Sequence, residues 1–232
     1  MKILALDCSA ISASCAVSEE ERIIASSYVN VRLTHSETLL PMVENTLAAA
    51  KLTLNDIDAI AINNGPGSFT GIRIGISVVK GLAEPRNLPC IAVSTLLSIA
   101  FLHKNFSGIV CAVMDARCNQ VYNALFKVEK GEITRITEDR AVLIDEVISE
   151  LDQISNNIII SGDGAALFKG YAKDKENVVI AAEPLANQNA VGVAAAAKEI
   201  LNRGEAVSSE ELCPFYLRLP QAERELKSKK GE

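Results

Sequence analysis

The chain of 232 residues is 49% hydrophobic and carries a formal net charge of −6 at pH 7. This length can bury a sizeable core in one large or two small domains. The acidic balance argues against binding nucleic acid alone, because phosphate contacts require a basic surface. No stretch resembles a signal peptide or reaches the roughly 18 apolar residues of a membrane span. We therefore expect a soluble, cytoplasmic protein without a membrane partner.

The six cysteines contain no Cys-x-x-Cys pair, and several lie inside apolar patterns that are typical of strands. A reduced thiol in such a pattern behaves as a small hydrophobic side chain. We expect reduced thiols in the core, which is consistent with a reducing compartment.

Three predicted strands open the chain, over residues 2–7, 13–18 and 22–29, and the first ends in Asp7. A helix is predicted from Thr34 to about residue 50, because a Thr-x-x-Glu spacing is typical of a capping box. Pro41 should bend this helix, since it lies beyond the first turn.

A glycine-dense turn over residues 65–75 joins a buried strand to an apolar helix over residues 72–83. Free backbone N–H groups at such a turn can bind an anion. The glycines could equally serve close packing of strand and helix, with Ser68 or Thr70 as the cap. The turn lacks the Gly-Lys-Ser/Thr of a Walker loop. The glycine spacing also matches a loose dinucleotide-binding pattern. However, the next strand ends in Ser94, without the acidic residue that would bind the ribose of a dinucleotide.

The second half of the chain repeats the design of the first. Residues 111–115 match residues 3–7, and residues 121–126 match residues 13–18 at the same offset. Further on, residues 158–164 echo residues 60–67, with a strand running into Gly-x-Gly. These coincidences indicate an internal duplication. They predict a two-lobed α/β fold with mixed sheets flanked by helices, the actin-like, Hsp70-like (ribonuclease H-like) architecture.

We place the first lobe at residues 1–103, the second at 104–209, and a C-terminal segment at 210–232 that packs back across the lobes and ends in a disordered basic stretch. In the segment, Tyr216 and Arg218 either anchor the chain between the lobes or lie on a plain surface.

In that architecture, strand-end aspartates and glycine turns from both lobes face one nucleotide. The corresponding residues here are Asp7, Ser9, Gly65, Gly67, Asp115, Arg117, Gly162 and Gly164. The turns after the two aspartates lack a glycine that would let the backbone approach a phosphate. Such aspartates more often cap their own turn. We therefore predict a degenerate cleft without a cofactor.

Neither metal nor nucleophilic chemistry is indicated. The two histidines, His35 and His103, lack a second histidine at i+4, which excludes a histidine pair on a helix. No Gly-x-Ser-x-Gly nucleophile turn is present. We predict no catalytic residue and no metal ligand.

The helix from Thr34 to about residue 50 and the helix over residues 72–83 both carry more apolar surface than contact with one sheet requires. In the helix after the glycine turn, only Arg73, Ser77 and Lys80 form a polar stripe. Burial inside the chain and contact with a partner protein both remain open.

Six motifs resemble those of the TsaB (YeaZ) family, and they span nearly the whole chain in order. They are Leu4-Ala-Leu-Asp-Cys-Ser9, His35-Ser-Glu-Thr-Leu-Leu-Pro41, the run of residues 65–75, Lys80-Gly-Leu-Ala83, Met114-Asp-Ala-Arg117 with Val121-Tyr122, and Tyr216-Leu-Arg218 with Gln221-Ala-Glu223.

The resemblance implies a non-catalytic dimerisation subunit that supports TsaD, the transferase that attaches threonylcarbamoyl to the adenosine beside the anticodon of tRNA. It implies a TsaE-like ATPase as a further partner, contact with tRNA only through the complex, and a possible homodimer of the free protein. TsaD-like subunits carry a metal-binding histidine pair, whereas this chain has Thr38 and Leu39 after His35. The predicted contact residues are Leu39, Met42, Val43, Thr46, Gly71, Ile72, Ile74, Gly75, Val78, Val79 and Leu82.

Two alternatives compete with this hypothesis. An ATP-dependent small-molecule kinase or ATPase of the same fold would bind ATP tightly and depend on Asp7. A metallopeptidase would need paired metal ligands, which the sequence lacks.

Overall fold

The computed structural model describes residues 1–31, 33–182 and 186–218. Five strands form the first sheet in the order β3-β2-β1-β4-β5. Their bounds are β1 (Lys2–Asp7), β2 (Ala13–Glu19), β3 (Arg22–Val29), β4 (Ala59–Gly65) and β5 (Cys90–Ser94). The three strands predicted at the start of the chain are confirmed.

The second sheet repeats the topology of the first, with the order β11-β10-β6-β7-β8 and β9 added beside β7. Its strands are β6 (Gly108–Asp115), β7 (Gln120–Glu129), β8 (Glu132–Arg135), β9 (Arg140–Leu143), β10 (Ile158–Ser161) and β11 (Val178–Ile180). In each sheet an antiparallel hairpin precedes two parallel strands. The predicted duplicated α/β architecture is therefore confirmed.

Helices cover the outer faces of both sheets and fill the space between them. The helices are α1 (His35–Ala49), α2 (Phe69–Ala83), α3 (Thr95–Phe101), α4 (Ile144–Leu151), α5 (Lys169–Lys173) and α6 (Ala190–Asn202). α1 and α2 pack on the outer face of the first sheet, and α4 and α5 pack on that of the second. α3 and α6 form the layer between the sheets. Within the described ranges, no helix is long and apolar enough to cross a bilayer.

The packing of α6 bears on the predicted division of the chain into lobes. α6 lies in the half assigned to the second lobe, but its residues Val193 and Ala197 pack with Ile3 and Ile91 of the first sheet. Gly192 faces the backbone carbonyl of Ser98, so closely that a Cβ atom would overlap it. Because α6 covers the inner face of the first sheet, it belongs structurally to the first lobe.

The cap of α1 differs from the predicted capping box. The Thr34 hydroxyl donates to the Glu37 carboxylate and does not accept a backbone N–H of the helix. By contrast, Ser68, Ser94 and Asn189 accept backbone N–H groups at the starts of α2, α3 and α6. α1 continues through Pro41, and the bend at that residue stays a prediction.

All six cysteines are free thiols, of which Cys8, Cys15, Cys90 and Cys111 are buried. Cys118 and Cys213 are exposed, so the expected core location holds for four of the six. Residues 219–232 lie outside the described residues, including Gln221-Ala-Glu223 and the stretch predicted to be a disordered basic end.

Candidate functional site

A cleft of about 870 Å³ opens between the turns at the carboxyl ends of the two sheets. Four of the predicted cleft residues line it: Ser9, Gly67, Asp115 and Arg117. The other four, Asp7, Gly65, Gly162 and Gly164, are not among its lining residues. The two lobes therefore do bring strand-end residues together, as the duplication predicts.

Asp7 secures the turn that follows β1. Its Oδ1 accepts hydrogen bonds from Ser9 Oγ at 2.7 Å, Asn63 Nδ2 at 2.7 Å and the Ser9 backbone N–H at 3.2 Å. Burial raises the pKa of Asp7, and the hydrogen bonds from Ser9 and Asn63 oppose that rise. Fully buried and holding its own turn, Asp7 matches the capping interpretation made from sequence.

The glycines of the cleft serve close backbone packing. A Cβ atom on Gly67 would overlap the Ser9 carbonyl, and one on Gly65 would overlap the Phe215 carbonyl. Gly164 lies against the Met114 backbone, where a Cβ would come within 2.9 Å of the carbonyl carbon. The Ser68 backbone N–H, at the start of α2, donates to Ser9 O at 2.7 Å. These contacts favour packing over the anion cradle as the use of these turns.

The second lobe contributes two carboxylates to the cleft. Asp115 accepts the Arg117 backbone N–H at 2.8 Å and pairs with the Arg117 guanidinium at 3.3 Å. Asp163 is exposed along the cleft, but the surrounding protein limits the solvation of its carboxylate and raises its pKa to about 6. A hydrogen bond from the Asp115 backbone opposes this rise, and the charge of Asp115 adds a smaller increase. Sequence reasoning missed Asp163, although an acid between two glycines after a strand was a usable signal.

The two histidines are engaged within the chain. His35 Nε2 lies 2.8 Å from the Ala10 carbonyl oxygen, and His103 Nε2 lies 2.8 Å from Ser161 Oγ. Within the part of the chain that the structure describes, no group of three His, Cys, Asp or Glu residues is placed to hold a metal ion.

The predicted contact residues on α1 and α2 require a correction. Most of them are buried inside the first lobe, because one face of each helix packs on the first sheet: Leu39, Met42, Val43, Thr46, Gly71, Ile72, Gly75 and Val79. Ile74, Val78 and Leu82 are partly exposed. A partner that binds the folded chain can therefore contact only the latter three of the predicted set.

The space beside Gly71 and Gly75 is occupied by residues of the first lobe, which leaves no room there for a helix of a second protein. A Cβ on Gly71 would overlap the Cys8 carbonyl. A Cβ on Gly75 would overlap Cys8 Sγ and lie 2.6 Å from Ile62 Cδ1. Both glycines let α2 approach the end of the first sheet.

Two further apolar residues face outward on these helices, which lie side by side. Leu40 is 43% exposed, and Pro41 beside it is also exposed. We define the outer α1–α2 surface by these two residues together with Ile74, Val78 and Leu82. This surface is an apolar area of the two helices that solvent reaches.

The C-terminal segment also reaches the cleft. The Tyr216 ring stacks on Phe69 with centroids 4.7 Å apart, and Arg218 donates to the Ala116 carbonyl at 2.8 Å. Of the two alternatives for these residues, the contacts fit anchoring between the lobes.

Comparisons with known proteins agree with this architecture. Residues 30–226 match the family model described as TsaD, tRNA N6-adenosine threonylcarbamoyltransferase. The tRNA threonylcarbamoyladenosine biosynthesis protein TsaB of Escherichia coli (strain K12) is 34% identical, over 99% of this chain and 100% of its own length. The TsaB protein of Bacillus subtilis (strain 168) is 30% identical, over 96% of each chain.

Solved structures of other proteins share the fold of this chain. YeaZ from Pseudomonas aeruginosa is 32% identical, with a TM-score of 0.80 over 93% of this chain and 99% of its own. Component A of the (R)-2-hydroxyglutaryl-CoA dehydratase of Acidaminococcus fermentans, 15% identical, shares the fold with a TM-score of 0.52 over 88% of this chain and 98% of its own. Given these matches over nearly the full length, the chain belongs to the TsaB (YeaZ) family, within the sequences that the TsaD family model matches.

Proposed function

We propose that this chain acts in the cytoplasm in the biosynthesis of threonylcarbamoyladenosine on tRNA, as a non-catalytic subunit that binds a TsaD-type transferase subunit. The observation that carries the proposal is the likeness to TsaB proteins over almost the whole chain. Those relatives are named for this biosynthesis.

The outer α1–α2 surface supports a protein partner. Its five apolar side chains are reached by solvent on two helices whose inner faces are already packed on the sheet. Exposed apolar side chains on neighbouring helices can form a protein contact. We therefore propose this surface as the site of contact with the transferase subunit, in place of the buried faces.

A supporting role without catalysis is consistent with the residues of the chain. His35 has Leu39, a fully buried side chain, at the i+4 position where a second metal-binding histidine would stand. Asp7 Oδ1 holds the turn after β1, and the glycines beside the cleft are in close backbone contacts. These same contacts count against the alternative of a kinase or ATPase, whose turns must leave room for phosphates.

Three further partnerships belong to this proposal. A TsaE-type ATPase joins the pair of subunits, and tRNA is held by the assembled complex, since a chain with a net charge of −6 lacks the basic surface for phosphate contacts. In the absence of the transferase subunit, the outer α1–α2 surface allows self-association.

Co-purification tests the proposal. The wild-type chain should form a stable complex with a TsaD-type subunit from the same organism. A Leu40→Glu variant should lose the complex, because it places a charge within the apolar contact. The matched control is Leu167→Glu, at a leucine of similar exposure (47%) in the second lobe. Absence of a complex with the wild-type chain would refute the proposed function. Equal binding by both variants would refute only the proposed surface.

A further inference from the structure

The segment over residues 208–218, which we name the strap, lies along α2 from its C-terminal to its N-terminal end. Near the end of α2, Ser209 donates to Glu84 and the Lys80 ammonium donates to the Glu210 carbonyl at 3.1 Å. Leu212 is buried in the core beneath α1 and α2. Of the polar stripe predicted on α2, Lys80 therefore contacts the strap, whereas Ser77 stays exposed.

The strap then contacts the turn between β4 and α2. Asn64 donates through Nδ2 to the Cys213 carbonyl at 3.1 Å, and the Phe215 N–H donates to the Asn64 carbonyl at 2.7 Å. Gly65 has no side chain at the point where the Phe215 carbonyl passes. This glycine is therefore required for the strap to lie against the turn.

At the start of α2, three side chains form one cluster. The Tyr216 ring stacks on Phe69, and the Arg73 guanidinium lies 3.8 Å from the centroid of the Phe69 ring. Arg73 Nε also donates to the Tyr216 hydroxyl oxygen at 2.8 Å. Stacking, cation–π attraction and a hydrogen bond together fix Tyr216 on the first lobe.

Two residues later, the strap reaches the second lobe. Arg218 Nη1 donates to the carbonyl oxygen of Ala116, the residue that follows β6. Tyr216, Arg218, Phe69 and Ala116 all line the same cleft. Consecutive parts of the strap therefore hold opposite walls of the cleft.

We propose that the strap is a clamp that holds the two lobes at their observed separation across the cleft. Away from the strap, the lobes are joined by the packed layer of α3 and α6. Two lobes joined at one side can open about that side unless the open side is tied. The clamp consists of exposed or half-exposed side chains at Tyr216 and Arg218, so it can be released without unfolding either lobe.

Hydrogen exchange of the isolated chain tests the clamp. Arg218→Ala should raise amide exchange in residues 116–122, and Tyr216→Ala should raise it in residues 64–73 as well. The expected increase is about five- to thirtyfold, as loss of one or two such contacts allows. Arg218→Lys retains a cationic donor and should restore most of the protection. Tyr216→Phe keeps the stack but loses the acceptor for Arg73, so it should have a smaller effect than Tyr216→Ala.

The matched control is Arg203→Ala, which removes an exposed arginine that pairs with Glu205 at the end of α6. It should leave exchange at both walls unchanged. Unchanged exchange in residues 116–122 of Arg218→Ala would overturn the clamp. An increase spread evenly over the chain would also overturn it, because it would report global stability. Since no partner is present, these outcomes are independent of the proposed function.

Discussion

Gly75 lies where α2 crosses the end of the first sheet, in contact with Cys8 and Ile62. A methyl group there would overlap both side chains, so Gly75→Ala should lower the free energy of unfolding by about 1–3 kcal/mol through overpacking. Around Gly81 on the same helix, no atom of the described residues lies within 4 Å of the position that a methyl group would take. Gly81→Ala should instead stabilise the chain by about 0.5–1 kcal/mol, by helix propensity.

Urea unfolding of the two variants measures this difference. Equal stabilisation by both alanines would show that α2 does not approach the sheet as closely as described. The comparison also separates folding from binding, because a change at Gly75 acts inside the lobe and not on a partner.

Asp163 should titrate unusually high for an aspartate. Restricted solvation raises its pKa to about 6, and the neighbouring charge of Asp115 adds to the rise. In Asp115→Asn the pKa of Asp163 should therefore fall, while staying above the ordinary value of 3.8 because the cleft walls remain. Carboxyl NMR shifts followed against pH measure both values. An Asp163 pKa that is the same in the wild-type chain and in Asp115→Asn would contradict the proximity of the two carboxylates.

The same shift has a consequence for stability. The pKa of Asp163 is higher in the folded chain than in the unfolded chain, so the folded state binds the proton more tightly. The associated stability is present below about pH 4 and is lost as the pH rises through about 6. Asp163→Asn should abolish this loss, as thermal unfolding across that range would reveal.

At the scale of elements, helix caps differ in a way that sequence spacing did not predict. Asn189 accepts backbone N–H groups from Val191 and Gly192, whereas Thr34 bonds the Glu37 side chain instead. Asn189→Ala should cost about 1 kcal/mol, with Thr34→Ala costing less. Chemical denaturation of the two variants measures these losses in the free energy of unfolding. A larger loss at Thr34 would mean that the capping box forms after all.

Strands were predictable because their signals are local. β1 to β3 are short apolar or β-branched runs, and the structure places the strands within one residue of the predicted bounds. The placement of α6 was not predictable, because its alanine-rich sequence has no strongly polar face to indicate which sheet it covers. The buried faces of α1 and α2 were also ambiguous, since a helix with two apolar faces does not specify which face meets the sheet.

At the scale of the whole molecule, the duplication was predictable from the spacing of matched strands, and it brought Ser9, Gly67, Asp115 and Arg117 to one cleft. The tight approach of the turns to one another was not predictable, because it follows from tertiary contacts between distant segments. The strap is another such contact, since residues 216 and 218 meet partners more than a hundred residues away along the chain.

The central claim is that the chain supports a transferase without performing chemistry in its own cleft. Formation of threonylcarbamoyladenosine on tRNA by a reconstituted system, with a TsaD-type subunit and a TsaE-type ATPase, tests it most directly. The variants to compare are Asp163→Asn in the cleft, the double variant Leu40→Glu with Val78→Glu on the outer α1–α2 surface, and the control Leu167→Glu.

We predict that Asp163→Asn and Leu167→Glu support tRNA modification within about twofold of the wild-type chain. The double variant should reduce it by about tenfold or more, because charges in an apolar contact oppose assembly. Loss of modification with Asp163→Asn, together with full activity of the double variant, would contradict the account and assign the chemistry to the cleft.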